Sequence, residues 1–258
     1  LGSSQEDIPD LIRWAHAING LYEKGGRISE EKALHAEAML GEMREFVRKL
    51  VATRKELQKR GSLTGEEDVI SALVAQGDEG LTEDELLSTA VTLFVAGHET
   101  TTHLLGNGWF ALLQRPEIIN QARHRPELIA NLVEEMARFD GSVPRSWRIA
   151  KRDTEISGAQ IKAGDLVLPL LAAANRDPEI FTEPDRFDLQ RDARKHLAYG
   201  KGVHVCLGAP LARIEAQEVI SAMLRRFTNI ELACRPDSLQ WREDLALRGL
   251  RELPVKLS

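Results

Sequence analysis

The sequence is poor in cysteine, with only Cys206 and Cys234 among its 258 residues. So few cysteines exclude a disulfide framework and are typical of a reducing compartment, which predicts a cytoplasmic protein with free thiols. An excess of basic residues is also lacking, because the formal net charge is -6. A general nucleic-acid binder would be basic, so no nucleic-acid partner is expected.

Long hydrophobic runs are missing as well, so no membrane span is expected in this chain. No secretory signal is seen, although the chain starts at Leu1 rather than at a methionine. Nor is there a flavin or nicotinamide fingerprint, so any electrons for a reaction are expected from another protein. With 43% hydrophobic and 29% charged residues, the chain can bury one sizeable core, and we expect a single domain over residues 1–258.

Helical signals dominate the first half of the chain. Apolar spacing predicts a helix over residues 8–23 that Gly25-Gly26 end. A much longer helix is predicted over residues 83–114. After Gly141, short apolar runs between glycine turns predict strands. The sequence therefore predicts a mainly α protein with small β-sheets, an α+β fold.

The glycine-rich stretch from Tyr199 to Gly208 carries a single cysteine, Cys206. Pro210 marks the first turn of a following helix, so Cys206 lies just ahead of a helix N-terminus. The free N–H groups and partial positive charge there favour a thiolate, which is a good axial ligand for heme iron. Gly202 and Gly208 would let the backbone turn and a flat ligand come close. The alternative is that Cys206 is a small hydrophobic residue of the core.

This loop resembles the cysteine-ligand loop of the cytochrome P-450 family, Phe-x-x-Gly-x-His/Arg-x-Cys-x-Gly. Tyr199 stands where phenylalanine is usual, and every other fixed position matches. The following Leu-Ala-Arg-x-Glu run resembles the soluble bacterial branch. The resemblance implies that Cys206 is the axial ligand of a heme b iron (iron protoporphyrin IX), with Tyr199 and Gly208 beside the cofactor.

A second motif of that family lies inside the long predicted helix, at residues 96–100. Ala96 and Gly97 leave almost no side chain on one face, so a flat cofactor could lie against the backbone. By resemblance to the oxygen-activation motif, Glu99 is the acid and Thr100 the alcohol of a proton-delivery pair. The other interpretation is a small-residue helix crossing, because a glycine within a helix often has only a packing reason.

Glu135 and Arg138 are three residues apart and can pair on one helix face. Such pairs are mostly surface features, but the family's Glu-x-x-Arg motif implies a buried pair that supports the cysteine loop. A second arginine completes the network in the family. The candidate is Arg186, with Arg176 as its rival.

Two further residues are assigned to the cofactor by the resemblance. Arg148 lies in the segment that passes a heme propionate in the family, and a guanidinium can clasp a carboxylate through two N–H groups. His204 is the other propionate candidate. A solvent-facing strand arginine is the alternative for Arg148. The resemblance covers the whole chain but only the C-terminal two-thirds of the family domain, so we expect an N-terminally truncated fragment.

The function that the resemblance implies is that of a heme-thiolate monooxygenase that places one oxygen atom into a lipophilic organic substrate. Its electrons would come from a ferredoxin-type donor and the reductase of that donor. Basic residues near the cysteine loop could form the docking patch, or they could be scattered solubilising charge; they are Arg191, Arg194, Lys195, Lys201 and Arg213. The alternatives are a non-catalytic heme-binding or interaction fragment and a peroxide-using variant.

Overall fold

A computed structural model describes residues 1–22, 28–77 and 80–258. The chain divides into two compact units, Leu1–Glu99 and Thr100–Ser258. The first helix ends at Asn19, before the predicted end at residue 23. The Gly25-Gly26 break that was predicted for it lies outside the described residues. The single domain over residues 1–258 stays a prediction.

The first unit is helical in its described part. It contains α1 (Ile8–Asn19), α2 (Glu30–Lys59), α3 (Val69–Ala75) and the first part of α4 (Glu83–Leu113). Its core consists of apolar residues from all four helices, and it includes Trp14, Met43, Val47, Ile70 and Leu87.

Local signals explain where these helices begin. The Ser29 hydroxyl accepts the Lys32 N–H at the start of α2. The Thr82 N–H donates to the Glu85 carboxylate over 2.9 Å ahead of α4, and the Glu85 N–H returns to the Thr82 hydroxyl. This reciprocal box satisfies N–H groups that a helix start leaves without intrahelical partners.

The second unit combines helices with three small sheets. The remaining helices are α5 (Pro116–His124), α6 (Ile129–Asp140), α7 (Leu171–Ala174) and α8 (Ala209–Arg226). The strands are β1 (Arg148–Ile149), β2 (Thr154–Ile156), β3 (Ala159–Ile161), β4 (Leu166–Val167), β5 (Ile230–Leu232) and β6 (Val255–Leu257).

Each described sheet is an antiparallel pair: β1 with β4, β2 with β3, and β5 with β6. The core of this unit lies among α4, α5, α6 and α8, with Leu132, Met136 and Ile220 fully buried in it. The predicted fold class, mainly α with small β-sheets, is confirmed. Among the described residues, no helix combines the length and the apolar character that a bilayer crossing requires.

Candidate functional site: a cysteine loop and its support

The cysteine loop of the second unit is a tight turn that ends at α8. Gly200 and Gly202 have φ angles of 69° and 77°, a left-handed conformation that glycine adopts without strain. The Cys206 N–H donates to the Tyr199 carbonyl over 2.8 Å, which closes the loop. Cys206 is a free and exposed cysteine three residues before α8 begins at Ala209. Its sulfur is therefore open to a ligand, and the interpretation of Cys206 as a core residue is wrong.

The side chains around this cysteine are apolar and exposed. Val203 is 97% exposed, Leu207 80% and Val205 56%. Exposed apolar side chains at this density mark a surface that another molecule covers. A flat, largely apolar ring such as a porphyrin fits the chemistry of this surface, which includes the exposed Cys206. Gly208 has no side chain to obstruct it.

The segment Ala96–Thr100 lies in the middle of α4. A Cβ atom added at Gly97 would meet nothing within 4 Å, and Ala96 is exposed, so the backbone is open to a flat group there. Glu99 is 2% exposed and Thr100 is half-buried. A buried carboxylate followed by a hydroxyl is a combination that can hold and pass protons.

The pair formed by Glu135 and Arg138 is fully buried. The Arg138 Nε donates to one oxygen of Glu135 over 2.7 Å, and Nη2 donates to the other over 2.8 Å. The remaining N–H groups donate to the backbone carbonyls of Asn175, Pro184 and Arg186. All five donors of the guanidinium are thus used, as a buried arginine requires.

The arginine that completes this network is Arg191, so the predictions of Arg186 and Arg176 are wrong. The Arg191 Nε lies 3.3 Å from the Glu135 carboxylate, and its side chain is 9% exposed. Arg186 takes part only through its carbonyl, because its guanidinium pairs with Glu183 and Asp188 at the surface. The Arg176 guanidinium pairs with Asp185 and the Phe139 carbonyl instead.

A second polar network, centred on Glu134, was not predicted. The Arg213 guanidinium donates to both Glu134 oxygens, at 2.5 and 3.0 Å. His196 Nδ1 accepts the Ala198 N–H, so Nε2 carries the ring proton and donates it to Glu134 over 3.1 Å. Glu134 immediately precedes the Glu-x-x-Arg motif, and Arg213 follows the cysteine loop, but nothing in the sequence pattern joins them.

This second network reaches the cysteine loop through Tyr199. The Arg213 guanidinium lies 4.3 Å from the centre of the Tyr199 ring, a cation–π contact. The His196 ring packs on the same tyrosine at 5.5 Å. Burial raises the pKa of Tyr199 to about 12. Because the Tyr199 carbonyl accepts the Cys206 N–H, the Glu134 network helps to hold the cysteine in place.

Burial alone would raise the pKa of Glu134, but hydrogen bonds from His196 and Arg213 outweigh it and lower the pKa to about 2. A carboxyl group whose pKa falls on folding stabilises the protein above its ordinary value of 4.5 and loses this stabilisation as the pH falls towards 2. We therefore expect the free energy of unfolding to decline over this range, with a shallower decline in Glu134→Gln. Urea unfolding at a series of pH values measures both slopes.

The matched control for this acid titration is Glu218→Gln, which changes an exposed glutamate of α8. We expect it to keep the slope of the unmodified protein. An equal acid slope in Glu134→Gln and in the unmodified protein would contradict the assignment.

The two propionate candidates are both exposed residues of the second unit. Arg148 lies in β1, and its Nη1 donates to the Ser146 hydroxyl and to the Trp147 carbonyl. His204 lies in a short 3-10 turn directly before Val205. Both could still donate to a carboxylate from outside the chain.

Three of the five residues predicted to form a basic patch pair with carboxylates of the same chain. Arg191 pairs with Glu135, Arg213 with Glu134 and Arg194 with Asp192. The two lysines of the patch, Lys195 and Lys201, are exposed.

Comparison with known proteins identifies the family of the chain. The cytochrome P450 family model matches residues 29–125 and 121–249. The polyketide biosynthesis cytochrome P450 PksS of Bacillus subtilis is 38% identical over all of this chain and 61% of its own length. The cytochrome P450 monooxygenase PikC of Streptomyces venezuelae is 41% identical over 86% of this chain and 52% of its own.

Solved structures show the same fold. P450BioI, crystallised with an acyl carrier protein that carries hexadec-9Z-enoic acid, superposes with a TM-score of 0.89 at 36% identity, over all of this chain and 64% of its own. CalO2 superposes with a TM-score of 0.90 at 32% identity, over all of this chain and 63% of its own. The chain belongs to the cytochrome P450 family, and the predicted resemblance is confirmed. It spans about 61% of the length of PksS and 52% of that of PikC.

Proposed function

We propose that the protein is a heme-thiolate monooxygenase that inserts one oxygen atom into a lipophilic organic molecule. The observation that carries the proposal is the exposed Cys206, whose N–H donates to the Tyr199 carbonyl in a glycine loop that also carries exposed apolar side chains. A heme b bound there would supply oxygen activation and one-electron chemistry. The named monooxygenase PikC, a relative of this chain, supports the same reaction class.

The proposal gives a role to the following residues of the candidate site. The Cys206 thiolate would hold the iron, and Arg148 and His204 would neutralise the heme propionates. Ala96 and Gly97 would provide open backbone for the ring. Glu99 holds a proton and passes it to the Thr100 hydroxyl, which delivers it to the oxygen-binding side.

The electrons are proposed to come one at a time from a ferredoxin-type donor and its reductase. Lys195 and Lys201 are exposed near the cysteine loop and can attract an acidic partner. Since three of the five predicted basic residues are paired internally, these lysines should carry most of the electrostatic steering. The two free cysteines favour a cytoplasmic protein.

The test of heme-thiolate ligation is the spectrum of the reduced carbon monoxide complex, in which a thiolate ligand gives a red-shifted Soret band. Turnover with NADH and a surrogate ferredoxin and reductase then separates an enzyme from a binding module. Heme binding with no product from a broad panel of lipophilic compounds would favour the non-catalytic fragment. Product formed with hydrogen peroxide but not with reduced ferredoxin would favour the peroxide-using variant.

Replacing Thr100 by alanine should uncouple electron use from product formation. The hydroxyl that relays the proton is lost, so we expect product per NADH to fall about a hundredfold, the low end for general acid–base catalysis. Thr100→Ser keeps the hydroxyl and should retain most of the coupling. The measurement is product and hydrogen peroxide per NADH consumed. Equal coupling in the alanine and serine variants would contradict proton transfer through the Thr100 hydroxyl.

A further inference from the structure

Three side chains that can bind a metal meet in the first unit. His16 from α1 lies beside His98 and Glu99 from α4, and their candidate ligand atoms all lie within 4.8 Å of one another. The His16 Nε2 is 3.4 Å from the Glu99 Oε1. The two imidazole rings are 5.9 Å apart between centroids, with their planes inclined by 52°.

This ligand set suits zinc. Two imidazoles and one carboxylate, with water in the fourth position, are a recurring ligand set for Zn²⁺. Tetrahedral coordination with bonds of about 2.0–2.1 Å separates the ligand atoms by about 3.3–3.4 Å. The His16–Glu99 separation of 3.4 Å already has this value. The third ligand atom needs to approach by at most about 1.5 Å, which rotation of an imidazole can provide.

The surroundings of the three side chains also favour a divalent cation. Glu99 is 2% exposed, and a buried carboxylate is stabilised by a nearby positive charge. The side chain of His16 is 55% exposed, so an ion can enter from solvent along this side. A cation held by one residue of α1 and two of α4 would tie these helices together.

We propose that His16, His98 and Glu99 form a binding site for Zn²⁺. The bound ion takes up the Glu99 carboxylate and removes it from proton transfer, so zinc inhibits turnover. The inhibition rests on the proposed role of Glu99, whereas the binding does not. A plain histidine–glutamate ion pair with a second histidine packed beside it is the competing interpretation, and it predicts no stoichiometric zinc.

The test begins with equilibrium dialysis of the heme-loaded protein against Zn²⁺, in a Cys234→Ser background so that no second thiol competes. We expect one zinc per chain. X-ray absorption at the zinc edge, to which the heme iron does not contribute, should show nitrogen and oxygen ligands with imidazole scattering. Sulfur in the spectrum would place the ion on a cysteine and overturn the proposal, and so would a stoichiometry near zero.

Single-residue variants locate the ion. His16→Ala and His98→Ala should each weaken zinc binding about tenfold or more, because loss of even an outer-shell partner costs that much. His35→Ala and His124→Ala change exposed histidines outside the cluster and should bind as the parent does. The conservative His16→Gln removes the imidazole with less disturbance to α1 and should lose zinc as well. Unchanged affinity in the His16 and His98 variants would refute the site.

Turnover measured with and without zinc separates the two proposals. Inhibition that disappears in His98→Ala supports the link to Glu99. If one zinc binds per chain but turnover is not inhibited, the metal site is supported. The proposed role of Glu99 in proton delivery is then overturned.

Discussion

Cys206→Ser is expected to abolish the red-shifted Soret band of the reduced carbon monoxide complex. Serine preserves the size of the side chain and the hydrogen bond from the residue 206 N–H to the Tyr199 carbonyl. It removes the sulfur that is proposed to ligate the iron and whose electron density would favour cleavage of the O–O bond. We expect oxidative turnover to fall at least about a hundredfold, which is about 2.7 kcal/mol in the activation barrier. Spectroscopy of the carbon monoxide complex and product analysis check the two effects.

The second cysteine provides the matched control. Cys234 is a partly exposed free cysteine after β5. The Cys234→Ser variant should keep both the band and the turnover. A red-shifted band in Cys206→Ser that equals that of the unmodified protein would disprove thiolate ligation by Cys206.

Arg138→Lys is expected to lower the free energy of unfolding by about 2–6 kcal/mol, because at least two buried acceptors lose their donor at about 1–3 kcal/mol each. Arginine satisfies two carboxylate oxygens and three backbone carbonyls through five donors. Lysine has the same charge but only three donors, held in a different geometry. Some of these carboxylate and carbonyl oxygens are therefore left without a donor inside the protein. Denaturant unfolding of the heme-loaded protein measures the change.

Arg186→Ala is the control for this experiment. Its guanidinium is 58% exposed and forms surface pairs, so the change should stay within about 0.5 kcal/mol. An equal loss of stability in the Arg138 and Arg186 variants would show that the buried network does not depend on the Arg138 guanidinium.

The elements that local signals define were predictable. The long helix was expected over residues 83–114 and is found at Glu83–Leu113, because its capping box and the downstream Pro116 are local. The cysteine loop was equally predictable, since the glycines with positive φ and the proline of the next helix lie about ten residues apart. The fold class and the family followed from these stretches.

The connections between distant segments were not predictable in the same way. Arg191 rather than Arg186 reaches Glu135 because the path of the backbone after α7 decides which guanidinium enters the core. The Glu134–Arg213 pair joins residues 79 positions apart. Three arginines lie between Asp185 and Lys195, and composition alone cannot rank them.

The hydrogen bonds from the Arg138 guanidinium to the segment after α7 all go to main-chain oxygens, those of Asn175, Pro184 and Arg186. Every amino acid supplies such an oxygen, so the identity of these three residues can change without loss of the anchor. Selection is then free to remodel the outer face of this segment, where the proposed electron donor would be recognised. Recognition of the proposed electron donor could thus evolve separately from the buried network around Arg138.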